Sequence, residues 1–373
     1  MRIHVAEQIF AATVDYHQLS ANASSIINAT GVPLMAVVKA DAYGHGLIPS
    51  AEAALAGGAT WLGTAFIDEA IKLREGGITA PILAWLTPPT EDFRQAFDST
   101  IDLSVSSLEQ LSAILSASEM IDVKARVHLK VDTGMTRGGA LDQFPVLVSA
   151  LGELLDEERI ELVGTWSHLA CADEPKHPMN LNQYSRFVSA LEYLESEGIN
   201  PGIRHLANSG AIINFPDFAF DMVRAGLLLY GYIPGALATQ RVDVKPVMEL
   251  SADIALVKRV SEGATIGYGA TVRLPEDRYI ALIPLGYADG IPRRFDGELH
   301  CSIGGIRYPL IGRVSMDQVT VDLGRETSVK AGDRAIFFGP NAGVTADDWA
   351  KAAGTISYEI LSRLGARIPR VAR

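Results

Sequence analysis

The chain has 373 residues, 48% of them apolar and 20% charged, and a net charge of −12. That length exceeds one ordinary domain and suits an α/β barrel of about 250 residues with a smaller domain beside it, while the apolar content excludes wholesale disorder. The acidic balance argues against nucleic acid or an anionic membrane as partner.

No stretch approaches the roughly 18 uninterrupted apolar residues that span a bilayer. The opening residues lack the charged segment and apolar core of a secretion signal. A cytoplasmic protein without membrane partners is therefore expected. Cys171 and Cys301 lie far apart and match no metal or redox spacing. The histidines show no paired ligand spacing, so no metal is expected.

In chain order, apolar residues at helical spacing run through 12–30 and stop at Gly31-Val32-Pro33. Short apolar runs then recur at a steady beat: 34–38, 61–65, 81–86, 101–105, 125–131, 160–166, 203–206 and 221–223. Helical patterns separate most of them, at 49–57, 67–75, 90–97, 106–116, 142–155 and 180–197. Eight buried strands alternating with helices predict a parallel (β/α)8, TIM-like barrel with right-handed crossovers. An open doubly wound sheet has the same alternation, but no glycine-rich dinucleotide fingerprint follows the first strand. The pattern breaks at Ile233-Pro234-Gly235, and the polar run 239–245 reads as a linker. Beyond it the chain becomes strand-rich, at 247–257, 279–285, 299–303, 306–311, 318–323 and 334–338, with turns such as Asp296-Gly297 and Gly304-Gly305. Two helical segments, 345–353 and 357–364, follow. The expected division is an α/β barrel over 1–240 and a mostly β domain over 241–373.

The residues that follow the barrel strands carry the chemistry, because barrel active sites are built at that end. The first strand runs into Lys39, then Asp41 and Tyr43. A lysine closing a buried apolar run is costly unless paired, exposed or chemically used. The fifth strand leads to Lys130, Asp132 and Arg137, the sixth to His168, and the seventh to His205, Asn208 and Ser209. The eighth leads to Arg224, Gly226 and Leu227. Ser209 reads as an N-cap before a short helical pattern, and the N–H groups of a helix start suit a phosphate. A phosphate there and a lysine after the first strand make pyridoxal phosphate the economical cofactor, since it needs a lysine, a phosphate cup and a partner for its ring nitrogen. Arg224 is the candidate partner. It keeps its own proton, so the ring would stay unprotonated, which disfavours transamination and favours simple proton removal and return.

The stretches AVVKADAYGHG, KVDTGMTRGG, SHLACADE, ANSG, VRAGLLLYG, GYGATV, GYADGIPR, GRVSMDQ and SYEILSRLGARIPR occur in the order found in bacterial alanine racemases. The chain resembles that family from end to end. The resemblance implies a barrel followed by a β domain, and a homodimer whose active sites are shared between subunits. It implies interconversion of L- and D-alanine, with D-alanine supplied for cell-wall peptidoglycan. Lys39 would carry pyridoxal phosphate and act as one base, and Tyr268 of the partner subunit would be the other. Tyr43, Ser209 and Tyr358, with Gly226 and Leu227 beside them, match phosphate ligands. His168 matches a neighbour of the cofactor ring. Arg137 and the Met316 backbone match groups holding the substrate carboxylate, and Tyr287 matches a residue narrowing the entrance. Lys130 matches a lysine often carbamylated in the family. Two positions depart from the family pattern: Thr136 stands where glycine is usual and Gly267 where serine is common.

Other readings share parts of this pattern. A racemase of serine would keep the scaffold and change the pocket. A pyridoxal-phosphate carrier would have no need of Tyr268. A decarboxylase on a similar scaffold would be expected to bring a cysteine to the cofactor, and GRVSMDQ has Ser315 and no cysteine.

Overall fold

The computed structural model describes residues 8–235, 242–295 and 297–373. The predicted linker therefore lies partly outside the described residues, at 239–241, as does Asp296 of the predicted Asp296-Gly297 turn. The chain forms two compact units.

One unit, His17–Ala42 with Leu47–Val244, holds the parallel sheet. Taking β1 as Phe10–Val14 in the other unit, the strands here are β2 (Leu34–Val37), β3 (Trp61–Thr64), β4 (Ile82–Ala84), β5 (Asp102–Val105), β6 (Ala125–Lys130), β7 (Ile160–Trp166), β8 (Ile203–His205) and β9 (Val223–Ala225). They pair in the order β8-β7-β6-β5-β4-β3-β2-β9, a nearly closed barrel. Across the seam between β8 and β9 run single backbone bonds, Arg224 N–H to Ala207 O at 3.0 Å and Asp221 N–H to Arg204 O at 3.0 Å. Most strand residues are fully buried, which is why the strands read as continuous apolar runs rather than alternating ones. The last strand begins two residues later than the apolar run predicts. Its register, Leu34 with Val223 and Met35 with Arg224, puts Arg224 inside the strand rather than after it.

The other unit comprises the described residues up to Tyr16, Tyr43–Gly46 and Lys245–Arg373. Its strands are β10 (Met248–Asp253), β11 (Leu256–Val260), β12 (Thr265–Ile266), β13 (Val272–Arg273), β14 (Arg278–Ile283), β15 (His300–Ile303), β16 (Ile306–Ile311), β17 (Val319–Gly324), β18 (Arg334–Phe338) and β19 (Arg370–Ala372). Nine strands pair in the order β11-β14-β17-β16-β15-β18-β10-β1-β19. The predicted helix over 12–30 is strand at its start. β1 lies antiparallel to β10 and parallel to β19, and the helix begins only at Tyr16. Val14 fits a helical stripe and a strand equally, and its partners lie over two hundred residues away. The single strand predicted over 247–257 breaks at Ile254-Ala255. There Ile254 N–H bonds Asp333 O and Ala255 N–H bonds Leu282 O, so the chain changes ladder partners. Trp349 is fully buried between Phe337 and Phe338, and its indole N–H reaches His300 O at 2.9 Å.

Gly164 of β7 has no room for a side chain: a Cβ there would stand 2.6 Å from Ile203 O and 2.8 Å from His128 Nδ1. Gly164→Ala should therefore destabilise the protein by about 2 kcal/mol, the scale of overpacking a tight core, read as a lowered denaturant midpoint.

Candidate active site

Lys39 opens an unusual turn. Ala40, Asp41, Ala42 and Tyr43 all have φ near +54°, and Gly44 has φ +82°. This is a left-handed helical turn, disfavoured by roughly 1–2 kcal/mol per residue with a Cβ. Three bonds pin it: Ala42 N–H to Val38 O at 2.8 Å, Ala40 N–H to Glu69 Oε1 at 2.6 Å and Leu47 N–H to Asp41 Oδ1 at 2.8 Å. Glu69 also accepts from the N–H groups of Ala65 and Phe66, so one carboxylate ties β3 to the lysine turn. The sequence reading missed Glu69; its signal is an acidic residue in the first turn of the helix Ile67–Glu75.

The Lys39 amine lies 5.8 Å from the centre of the Trp85 ring. Burial first, then the charge of Arg137, lower its pKa, and Glu69 opposes them. The Lys130 amine sits 4.7 Å above Trp166. Burial, then Arg137 and Arg224, bring its pKa down to about 8. Arg137 stands in a loop tied back on itself: Asp132 Oδ1 accepts from Gly134 and Thr136 N–H, and Asp132 N–H bonds Ala140 O. Thr136 is held at φ +54°, where a β-branched residue is an outlier.

Arg224 is 4% exposed and clamped by its terminal nitrogens. Nη1 donates to His205 O at 2.6 Å and lies 3.1 Å from His205 Nδ1. Nη2 donates to Ser167 O at 2.7 Å and Leu206 O at 3.1 Å, with His168 Nδ1 at 3.4 Å. Burial lowers its pKa to about 9, which leaves it charged at neutral pH. Its Nε–H has no partner among the described residues. His168 is half-buried, and desolvation followed by Arg224, Arg137, Lys130 and Lys39 holds its pKa well below the ordinary imidazole value. Gln183 fixes the His168 loop, donating to His168 O and accepting from Ala170 N–H.

The N-cap of the helix Ser209–Asn214 is Asn208 rather than Ser209. The Asn208 side chain accepts from Ala211 N–H at 3.1 Å, a reach that suits its longer amide. The Ser209 hydroxyl turns toward the end of β9 instead. Its Oγ accepts from Gly226 N–H at 3.1 Å and Leu228 N–H at 3.3 Å, leaving its proton to donate.

Lys39, Lys130, Arg137, His168 and Arg224 thus act on one another electrostatically within the barrel unit. An unpaired Nε–H suits an acceptor ring nitrogen, and Ser209 beside the Gly226–Leu228 turn suits a phosphate. These residues fit pyridoxal phosphate. In the other unit, Tyr43 is buried with its ring 6.0 Å from that of Tyr358. Burial and Tyr358 push its phenol above the ordinary value, so it keeps its proton for donation. Tyr268 and Met316 are 69% and 53% exposed on the single chain, and Tyr287 is also exposed. Tyr287 N–H bonds Ser315 O and Ala288 N–H bonds Met316 O, which joins those two turns. Gly267, before Tyr268, has φ +66° and ψ −164°, a region essentially confined to glycine.

Two family models match, one described as alanine racemase, N-terminal domain, over residues 14–234 and the other as alanine racemase, C-terminal domain, over residues 247–372. The chain belongs to the alanine racemase family. Enzymes of this family are isomerases that depend on pyridoxal phosphate. An alanine racemase of Thermobifida fusca is 45% identical over 96% of the chain and 97% of its own length. The solved alanine racemase of Streptomyces lavendulae, a D-cycloserine producer, superposes with a TM-score of 0.95 at 41% identity, covering 99% of this chain and 98% of that one. That of Streptomyces coelicolor superposes with a TM-score of 0.94 at 43% identity over 97% of each chain. No described helix is long and apolar enough to cross a membrane.

The strained Thr136 makes a direct test of this loop. Thr136→Gly should raise stability by about 1 kcal/mol, strain relief exceeding the entropy glycine adds to the unfolded chain, measured as a higher denaturant midpoint.

Proposed function

We propose that this protein interconverts L- and D-alanine with pyridoxal phosphate held at the barrel mouth, using one base on each face of the substrate. The observation that carries the reading is Arg224: a buried, charged, donor-only side chain with one unpaired N–H, in the same barrel unit as a lysine of lowered pKa. The cofactor, when bound, supplies a conjugated ring that accepts electron density from the substrate's Cα.

Lys39 would carry the cofactor and serve as base on one face. Burial and Arg137 ease the loss of its proton, as a base near neutral pH requires. Tyr268, from the partner subunit of a homodimer, would hold the proton on the other face. Its exposure on the single chain, like that of Met316 and Tyr287, supports a reading in which these residues meet a second copy. Arg137 and the Met316 backbone would bind the carboxylate, and Tyr287 would narrow the entrance. Tyr43, Ser209, Tyr358 and the backbone at Gly226 and Leu227 would bind the phosphate, with Asn208 fixing Ser209 and His168 beside the ring. Arg224 would donate to the ring nitrogen without surrendering its own proton, which would favour simple return of the substrate proton over transamination. Lys130, with its pKa near 8, offers the neutral amine that carbamylation needs, and the added charge would brace Arg137. The two domains read as 1–240 and 241–373, in the cytoplasm, with D-alanine passing to peptidoglycan.

Purified protein should be yellow and should exchange the α-proton of L-alanine in heavy water while the optical rotation decays. Colourless protein that cannot be reconstituted would overturn the reading. Lys39→Ala should lose the visible band of the attached cofactor. Tyr268→Phe should slow racemisation by about a hundredfold or more, equally in both directions as the overall equilibrium demands. It should still wash deuterium into one enantiomer through Lys39. Mild loss with exchange unchanged in both enantiomers would remove Tyr268 from that role.

A further inference from the structure

Behind Arg224 a line of buried polar side chains crosses the barrel. Arg224 Nη1 lies 3.1 Å from His205 Nδ1, and His205 Nε2 lies 3.1 Å from His128 Nδ1. His128 Nε2 lies 3.4 Å from Asp102 Oδ2, and Arg126 Nε donates to Asp102 Oδ1 at 2.8 Å. Both histidines are fully buried and Asp102 nearly so. Asp102 opens β5 while His205 closes β8, so the line runs from the mouth of the barrel to the far ends of its strands. The reaction chemistry above uses none of these residues except Arg224.

The protons on this line are fixed by elimination. A guanidinium only donates, so His205 Nδ1 accepts and its one proton sits on Nε2. That proton points at His128 Nδ1, which must accept in turn. His128 therefore carries its proton on Nε2, toward an ionised carboxylate. Both hydrogen bonds point the same way, from Arg224 toward Asp102, and the last step, His128 Nε2 to Asp102 Oδ2, is an electrostatic contact rather than an aligned hydrogen bond. The ring planes are set as well. His205 stacks on Trp166 with centroids 5.8 Å apart and planes 3° from parallel, and Trp166 Nε1 donates to Ser104 at 3.0 Å. The Trp61 ring meets His128 edge-on at 5.4 Å.

We propose that His205, His128 and Asp102 are positioning residues for Arg224: a one-way donor chain that orients the guanidinium from behind and sets an anion against its charge across the barrel. Aligned hydrogen bonds polarise one another in a low-dielectric interior, so the carboxylate is felt at Arg224 through two neutral rings. The effect on turnover rests on the proposed role of Arg224 at the cofactor ring; the chain itself does not.

The test uses holoenzyme labelled with 15N at histidine, with His128→Gln to assign the signals. Long-range 1H–15N correlations should give two neutral rings protonated at Nε2. A proton on Nδ1 of either ring in the wild type would overturn the proposal. In Asp102→Asn, the signals of both His128 and His205 should move and the visible cofactor band should persist. The kcat for L-alanine should fall about tenfold with KM within about twofold, the scale on which partners behind a functional group are felt. Unchanged kcat, or a loss confined to KM, would also overturn it. A wild type without cofactor would sink the functional reading, while the tautomers would still decide the donor chain.

Discussion

Lys39, Lys130 and Arg224 stand partly or wholly buried in one barrel unit with the exposed Arg137 acting on both lysines, and Arg137 lowers the pKa of each lysine while Arg224 and Lys39 lower that of Lys130. Burying like charges is costly unless something compensates. Glu69 and Asp132 compensate in part, each opposing the downward shift of the nearer lysine. The balance leaves a site with an excess of positive charge. A ligand bringing a phosphate and a carboxylate would relieve the repulsion. The same excess keeps His168 neutral and leaves the two lysines closer to giving up a proton than any lysine in water.

The barrel was legible because its strands are buried on both faces. The run 34–38 is apolar without interruption, 160–166 is broken only by Glu161 and Thr165, and the spacing of such runs leaves room for one helix each. The positions after the strands were legible for the same reason, since a lysine or arginine at the end of such a run stands out. What could not be read locally depended on distant partners. β1 pairs with β10 and β19, and nothing in FAATV names either. Glu69, Trp85, Trp166 and Gln183 all shape the mouth, yet alone each is an ordinary helix acid, core aromatic or helix amide. Arg224 was placed after its strand because the register with β2, which puts it one residue from the end, is a three-dimensional fact. The cap fell to Asn208 rather than Ser209 because side-chain length decided between two good capping residues.

The two departures from the family pattern have opposite backbone meanings. Thr136 occupies a left-handed conformation that glycine would adopt freely, so the local fold is imposed on it by the Asp132 turn and the closure at Ala140. Gly267 occupies a conformation that serine would resist, so the turn before Tyr268 is shaped around the residue present. One position keeps the backbone and strains the side chain's owner; the other lets the owner choose the backbone.

The left-handed turn after Lys39 has a bearing on how the protein matures. Four successive residues with side chains hold a conformation that a free chain avoids, and such strain persists only where the surroundings over-determine it. One of its restraints comes from Glu69, on the helix after the next strand. The turn is therefore fully restrained only once that later part of the barrel has been made and docked. A nascent or partly folded chain carries the lysine but not its orientation. The setting of Lys39 is thereby tied to the folding of the barrel unit around it.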